Sequence, residues 1–228
     1  MLDDQSVTQD SYHHGNVKEA LIDAALRLIE SNQEGAMSLR RLSREVGITA
    51  PAVYNHFADK EALMIAIKVR IYGSFNKYFE ERITGSDDPE KTLKEMCFAY
   101  YHFSRDFPSQ FHFLFASAIP MDWTTPEHIE ISGQCIVKTR KVVLDIYKKY
   151  QIPCDQHAVV NTTLLIWSQL HGIVTLRNSG MIQAAVTYQD WPDSCSLEHG
   201  EQVESLIENH IQIMVGGIIN SAHKDHHH

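Results

Sequence analysis

"GITAPAVYNHFADKEAL", residues 47–63, sets a proline inside a helical pattern. Pro51 stands four residues after Gly47, yet Val53, Phe57, Ala62 and Leu63 keep a helical rhythm around Tyr54, Asn55 and His56. With Thr49 or Ala50 as N-cap, Pro51 falls in a first helical turn, where its missing N–H has no intrahelical acceptor to lose. The proline therefore starts a helix. At 100° per residue, Val53 and Phe57 share one side, and Pro51, Ala52, Tyr54 and Asn55 are turned the other way.

Just before it, Ser38 reads as the cap of a preceding helix, "SLRRLSREVG", which Gly47 ends in left-handed backbone. Leu39, Leu42 and Val46 form its inner stripe. Arg40 and Arg44, four apart, share the opposite face. Two short helices joined by a Gly-containing turn make a helix-turn-helix, whose second member enters the DNA major groove. A solvated helix pair with the same spacing is the plainer alternative.

Charge sharpens the choice. The chain carries a net −9 with His neutral, which by itself argues against a nucleic-acid partner. Between Ser38 and Lys60, however, Arg40, Arg41, Arg44 and Lys60 face only Glu45 and Asp59, and a local basic face is what DNA requires.

The rest of the chain is helical in period, with no convincing strand alternation. A first helix is expected from an Asn16 cap, with Glu19 as its capping-box partner. It ends near "NQEG". Asp59 should cap a longer helix from Lys60 to about Ile83. "TGSDDPE" (84–90) marks a break, and helical runs follow at about 89–106, 108–118, 126–150, 155–179 and 197–222. The expected architecture is all-α. An N-terminal three-helix DNA-binding domain with the helix-turn-helix (14–62) precedes a larger helical ligand-binding and dimerisation domain (63–222). At 228 residues and 43% hydrophobic, the chain can fill one sizeable core or two small ones.

Several classes lose ground. The N-terminus is acidic and polar with no apolar leader. No stretch looks like the roughly 18 uncharged apolar residues of a membrane span. A cytoplasmic protein without membrane attachment is expected. Cys97, Cys135, Cys154 and Cys195 are scattered with no C-x-x-C pair, so zinc ribbons are disfavoured. His102, His112, His128, His157 and His171 match no ligand spacing, and no metal or cofactor is expected. The terminal "HKDHHH" is either native or a tag remnant. An enzyme is the rival class, but the sequence has no nucleophile elbow, no H-E-x-x-H and no glycine-rich phosphate loop.

The segment "ALIDAALRLIE…SLRRLSREVGITAPAVYNHFADKEAL" (20–63) resembles the N-terminal DNA-binding domain of the TetR family of bacterial transcriptional regulators. Its most specific element runs from Gly47 to Leu63, a long string of fixed spacing. The resemblance implies that Thr49, Ala50, Pro51, Ala52, Tyr54, Asn55 and His56 face DNA. It implies too that Lys60 contacts a phosphate and that Arg40 can reach a base. Ser38 and Arg41 complete the expected set. Ala50, Pro51 and Ala52 are apolar where many members are polar, which shifts base reading there towards thymine methyl groups. "WSQLHGIVTL" (167–176) is similar to the Trp…His-Gly signature of one C-terminal subgroup. A core Trp, a closely packed Gly and a hydrogen-bonded His would explain it equally well.

The implied function is a homodimeric regulator, a repressor released from a palindromic double-stranded operator by a small apolar or aromatic effector. A DNA-binding regulator without small-molecule control remains the alternative. The aromatic run "FAYYHFSRDFPSQFHFLF" (98–115) supplies candidates for an effector cavity: Phe98, Tyr101, Phe111 and Phe115, joined by Trp123 and Trp167. Dimerisation is expected through the last two long helices, with Val203, Leu206, Ile207, Ile211, Met214, Val215 and Ile218 in helical register beside Gly216 and Gly217.

Overall fold

The computed structural model describes residues 17–116 and 119–224. The expected Asn16 cap, residue 14 as the first domain's start and most of the terminal His run lie outside them. Ten α-helices follow one another: α1 (Val17–Glu30), α2 (Leu39–Val46), α3 (Ala50–Tyr54), α4 (Lys60–Glu80), α5 (Pro89–Asp106), α6 (Pro108–Phe115), α7 (Pro126–Lys149), α8 (Gln156–Asn178), α9 (Met181–Gln189) and α10 (Gly200–Lys224). Short 3₁₀ turns lie at 34–36, 121–123 and 193–195, and no strand occurs among the described residues. The all-α expectation holds. α9 falls between the runs assigned from the sequence, entered through Gly180 at φ 69°.

The chain forms two units, residues 1–72 with 108–129, and 73–107 with 130–228. The expected division was a single cut at 62/63. The difference has a local cause in α6, which packs on α1. Gln110 donates to Glu30 at 3.1 Å and Ser109 to Asn32 at 3.0 Å. Phe111 and Leu114 are buried with Leu21, Ala25, Leu28 and Ile29. Arg70 of α4 pairs with Glu19 and, at 3.2 Å, with Asp23, joining α4 to α1 across the same unit.

In the second unit the inner faces of α5, α7, α8 and α10 supply the core. It includes Tyr100, Phe103, Val143, Ile146, Ile166, Leu170 and Val174. Two tyrosine hydroxyls of this unit are satisfied inside it: Tyr147 with Thr162 at 3.0 Å, and Tyr78 donating to Asp106 at 2.6 Å. Val203, Ile207, Ile211, Val215 and Ile218 of α10 are buried in this core. That corrects the expected dimer stripe, because most of it packs within its own subunit. Of that stripe Leu206 is exposed, and Ile213, outside it, is the other exposed large apolar residue of α10.

α8 also departs from the sequence reading, since by length and composition it is apolar enough to cross a membrane. Its Val159, Thr163, Ile166, Leu170 and Val174 are buried in the second unit, while Leu164, Leu165 and Leu176 face outward. An apolar inner face and an apolar outer stripe on one helix raise its hydropathy to that of a span.

The turn between α2 and α3 is the most exacting piece of backbone. Gly47 has φ 78°, its N–H donates to the Ser43 carbonyl, and Ile48 N–H donates there as well at 2.9 Å. A Cβ on Gly47 would meet nothing within 4 Å, so the cost of a side chain is conformational alone. Gly47→Ala is therefore expected to destabilise the first unit by about 1 kcal/mol. Urea denaturation followed by circular dichroism checks this, and an unchanged midpoint would show that the turn can relax.

Candidate nucleic-acid interface

α2 begins where expected. Ser38 has extended backbone and its hydroxyl accepts from Arg41 N–H at 3.2 Å. Leu42 is fully buried, and the Ser43 hydroxyl turns inward to the Arg40 carbonyl at 2.9 Å. This leaves Arg40 and Arg44 exposed on the outer face. Arg41 is half-buried and already engaged, donating to Gln33 Oε1 at 2.6 Å. Glu45 has Arg27 at 3.8 Å as a partner, which softens the acid nearest the two arginines.

α3 is a single short element of five residues. Thr49 is its N-cap without a side-chain bond, and Pro51 sits in the first turn as the sequence implied. Val53 and Phe57 are buried. Thr49, Ala50, Pro51, Tyr54, Asn55 and His56 are exposed, with Ala52 half-buried. Tyr54 is 58% exposed, a large exposure for an aromatic ring with no structural role on that side. Asn55 closes the helix, and Phe57 N–H bonds the Val53 carbonyl at 3.0 Å. Asp59 then caps α4, accepting from Ala62 N–H at 2.7 Å, which leaves Lys60 exposed in the first turn. There an ammonium stands beside the positive end of a helix of 21 residues, an arrangement suited to a phosphate.

The predicted DNA-facing residues therefore lie on one continuous segment and are solvent-accessible, apart from the half-buried Ala52 and Arg41. Arg44 belongs with them, and its four-residue spacing from Arg40 is the sequence signal for it. Arg41 is the member whose engagement with Gln33 no sequence pattern indicated.

The six expected effector residues divide between the two units. The Phe111 and Phe115 rings meet at 4.8 Å, tilted by 53°, in the first unit, where Trp123 is exposed in the 121–123 turn. Phe98, Tyr101 and Trp167 belong to the second. Phe98 lies beneath the Lys94 ammonium, 5.3 Å from its centroid. Tyr101 is fully buried, with a hydroxyl that finds no hydrogen-bond partner. Only Trp167 lines the small interior cavity of that unit, with Phe79, Met96, Cys97, Tyr100, Cys135 and Leu170 among its neighbours. Its free space is about 20 Å³, room for one water. Burial pushes the Cys97 and Cys135 thiols up to about 12, so both are protonated at neutral pH. At its edge Tyr100 Oη bonds His171 Nδ1 at 2.7 Å, and burial holds His171 below its usual range.

A basic helix-turn-helix beside a separate helical unit defines a DNA-binding protein of regulatory type. Residues 21–67 match the family described as bacterial regulatory proteins, tetR family, and residues 93–191 match the tetracyclin repressor-like C-terminal domain. The chain belongs to the TetR family of transcriptional regulators, which bind DNA and act as dimers.

Among its relatives is an uncharacterised HTH-type transcriptional regulator of Mycobacterium tuberculosis. It is 20% identical over 165 residues, 72% of each chain. The class D tetracycline repressor protein of Escherichia coli is 34% identical over 61 residues, 27% of this chain and 28% of that one. Two solved structures share the fold. A protein of unknown function from Rhodococcus sp. RHA1 has TM-score 0.67 at 20% identity, covering 92% of this chain and 98% of that one. The regulator FadR from Bacillus subtilis, in complex with stearoyl-CoA, has TM-score 0.60 at 16% identity over 88% and 98%.

Lys60→Ala is expected to weaken binding to every DNA sequence alike and to lower the salt dependence by about one counterion. Arg40→Ala and Tyr54→Ala should also relax preference at one base pair, by roughly 1–3 kcal/mol. Arg41→Ala should do less, because Gln33 already holds that guanidinium. Anisotropy titrations at several salt concentrations separate these outcomes.

Proposed function

We propose that the chain is a homodimeric, non-enzymatic cytoplasmic repressor that holds a palindromic operator and releases it when a small ligand binds. The observation that carries this reading is the exposed α2–α3 face running from Arg40 to Lys60, built on buried Leu42, Val53 and Phe57. In this reading Thr49, Ala50, Pro51, Ala52, Tyr54, Asn55 and His56 approach base edges. Arg40 and Arg44 flank them, Lys60 grips the backbone, and Ser38 and Arg41 fix the entry to α2.

A palindrome needs a two-fold partner, and the outer stripe of α8 and α10 supports one. Leu164 (45% exposed), Leu165 (51%) and Leu176 (40%) lie along α8 at three-, four- and seven-residue helical steps that also take in Ser168 and Gly172. On α10, Leu206 and Ile213 (72% exposed) repeat at seven, with Gly217 one turn further on. Large apolar groups beside small ones suit two helix pairs meeting in an isologous four-helix contact. Leaving them in water would cost roughly 25 cal/mol per Å² of apolar surface that a dimer could bury.

Ligand control fits a family in which repressors are commonly ligand-responsive. Stearoyl-CoA is bound by FadR of Bacillus subtilis. The identity of this chain's effector does not follow from that, and a 20 Å³ cavity is far below the ~300 Å³ of an ordinary ligand site. Any occupant there must open it, which is one way to couple binding to a change of shape. The Tyr100–His171 bond is what the plainer packing reading of "WSQLHGIVTL" asks of its histidine.

DNA selected from a random pool should converge on a near-palindrome, with half-site centres separated by about 34–36 Å or a multiple of it. No enriched motif would refute the reading. Leu165→Glu with Ile213→Glu should give folded monomers, seen by sedimentation, that lose operator binding. An unaltered dimer would place the interface elsewhere.

A further inference from the structure

Three sulfur-bearing side chains border the small cavity of the second unit. Met96 and Cys97 reach it from α5, on the face that also presents Leu93 and Tyr100, and Cys135 reaches it from α7. Met96 and Cys97 are almost fully buried, and neither cysteine is in a disulfide. The Cys97 thiol is pushed up by burial first and by the Cys135 thiol second, so the two sulfurs lie within electrostatic reach of each other. The Thr139 hydroxyl, one turn along α7, donates to the Cys135 carbonyl at 2.9 Å. The rest of the lining is mostly apolar, with Phe79, Ile166 and Leu170 among it.

A disulfide brings its sulfurs to about 2 Å and leaves no room between them. A void of about 20 Å³ bordered by both cysteines suits a single atom held between them instead. Zinc asks for four donors of the Cys, His, Asp or Glu type, and no group of even three occurs among the described residues. That leaves an ion satisfied by two thiolates, and soft sulfur donors select soft metals. Charge then fixes its valence. A monovalent ion that replaces two thiol protons leaves one negative charge in an apolar interior, which is costly. A divalent ion leaves the cavity neutral. We propose that Cys97 and Cys135 form a binding site for a soft divalent d10 ion of two-coordinate habit, of which Hg(II) is the type, with the Met96 thioether beside it. Two S–H bonds break, two metal–sulfur bonds form and two protons pass to solvent, with no change of oxidation state. The ion enters through a transient opening and, unlike an organic effector, then needs no lasting enlargement. The site stands whether or not its occupancy releases DNA.

The test uses the full chain carrying Cys154→Ser and Cys195→Ser, which removes the half-buried and the exposed thiol and keeps the pair. With mercuric chloride, native mass spectrometry should show each chain gaining one ion and losing two protons. Glutathione then competes for the metal. A second bond closed within one chain raises the effective thiol concentration, so half-release should need at least about 100-fold more glutathione than in Cys97→Ala on the same background. Cys135→Ala should behave as Cys97→Ala does, and it supplies the comparison if that variant fails to fold. Zinc chloride should show no such difference between the parent and the variants. A parent that gives up mercury as easily as a folded single-thiol variant, an ion found only between two chains, or the same difference seen with zinc overturns the proposal.

Discussion

At Gly47 the backbone takes φ 78°, a conformation that L side chains adopt only at a cost, and two N–H groups converge on the Ser43 carbonyl. This one reversal sets the angle between α2 and α3. Without it Val53 and Phe57 could not reach the side of Leu42, and Tyr54 could not be turned to solvent. A helix of five residues cannot hold itself together in water, since its nucleation cost is spread over too few hydrogen bonds. Its conformation is borrowed from the turn before it, from Pro51 at its start and from the Asp59-capped helix after it. The exposed face is thus rigid because of residues that do not belong to it.

The same dependence of surface on core recurs around α6. Its side chains reach α1 through Phe111, Gln110 and Ser109, and its final turn receives the Lys68 ammonium of α4. A buried lysine holds its charge only where acceptors replace the water it gives up, and the Leu114 carbonyl is one of them. Apolar residues of similar volume would serve packing better.

The local grammar of the chain was legible in its sequence. Ser38, Gly47, Pro51 and Asp59 each act through short-range hydrogen bonding or backbone restriction, and each takes the role its chemistry prescribes. Helix faces were harder. α10 carries apolar residues on more than one side, so periodicity found a stripe, and that stripe packs inward. Ile211 is buried and Ile213 is not, a distinction set by neighbours remote in sequence. The aromatic run 98–115 crosses from one unit to the other. α5 and α6 belong to different units, so Tyr101 and Phe111 fill separate cores despite being ten positions apart.

The net charge of −9 finally bears on how the two halves of a dimer cooperate. Acidic residues farther than about 8–10 Å from the DNA are screened at physiological salt, so the local excess of Arg40, Arg44 and Lys60 governs contact. That excess is small, and each half-site supplies few phosphate contacts and correspondingly little non-specific affinity. One subunit alone should therefore hold DNA weakly. Once the first half-site is occupied, the second meets its subunit at the high effective concentration set by their linkage. In such a protein the spacing between the two recognition faces, more than the strength of either, decides whether the operator is held. A ligand then needs only to disturb that spacing, leaving every residue of the DNA-facing surface as it was.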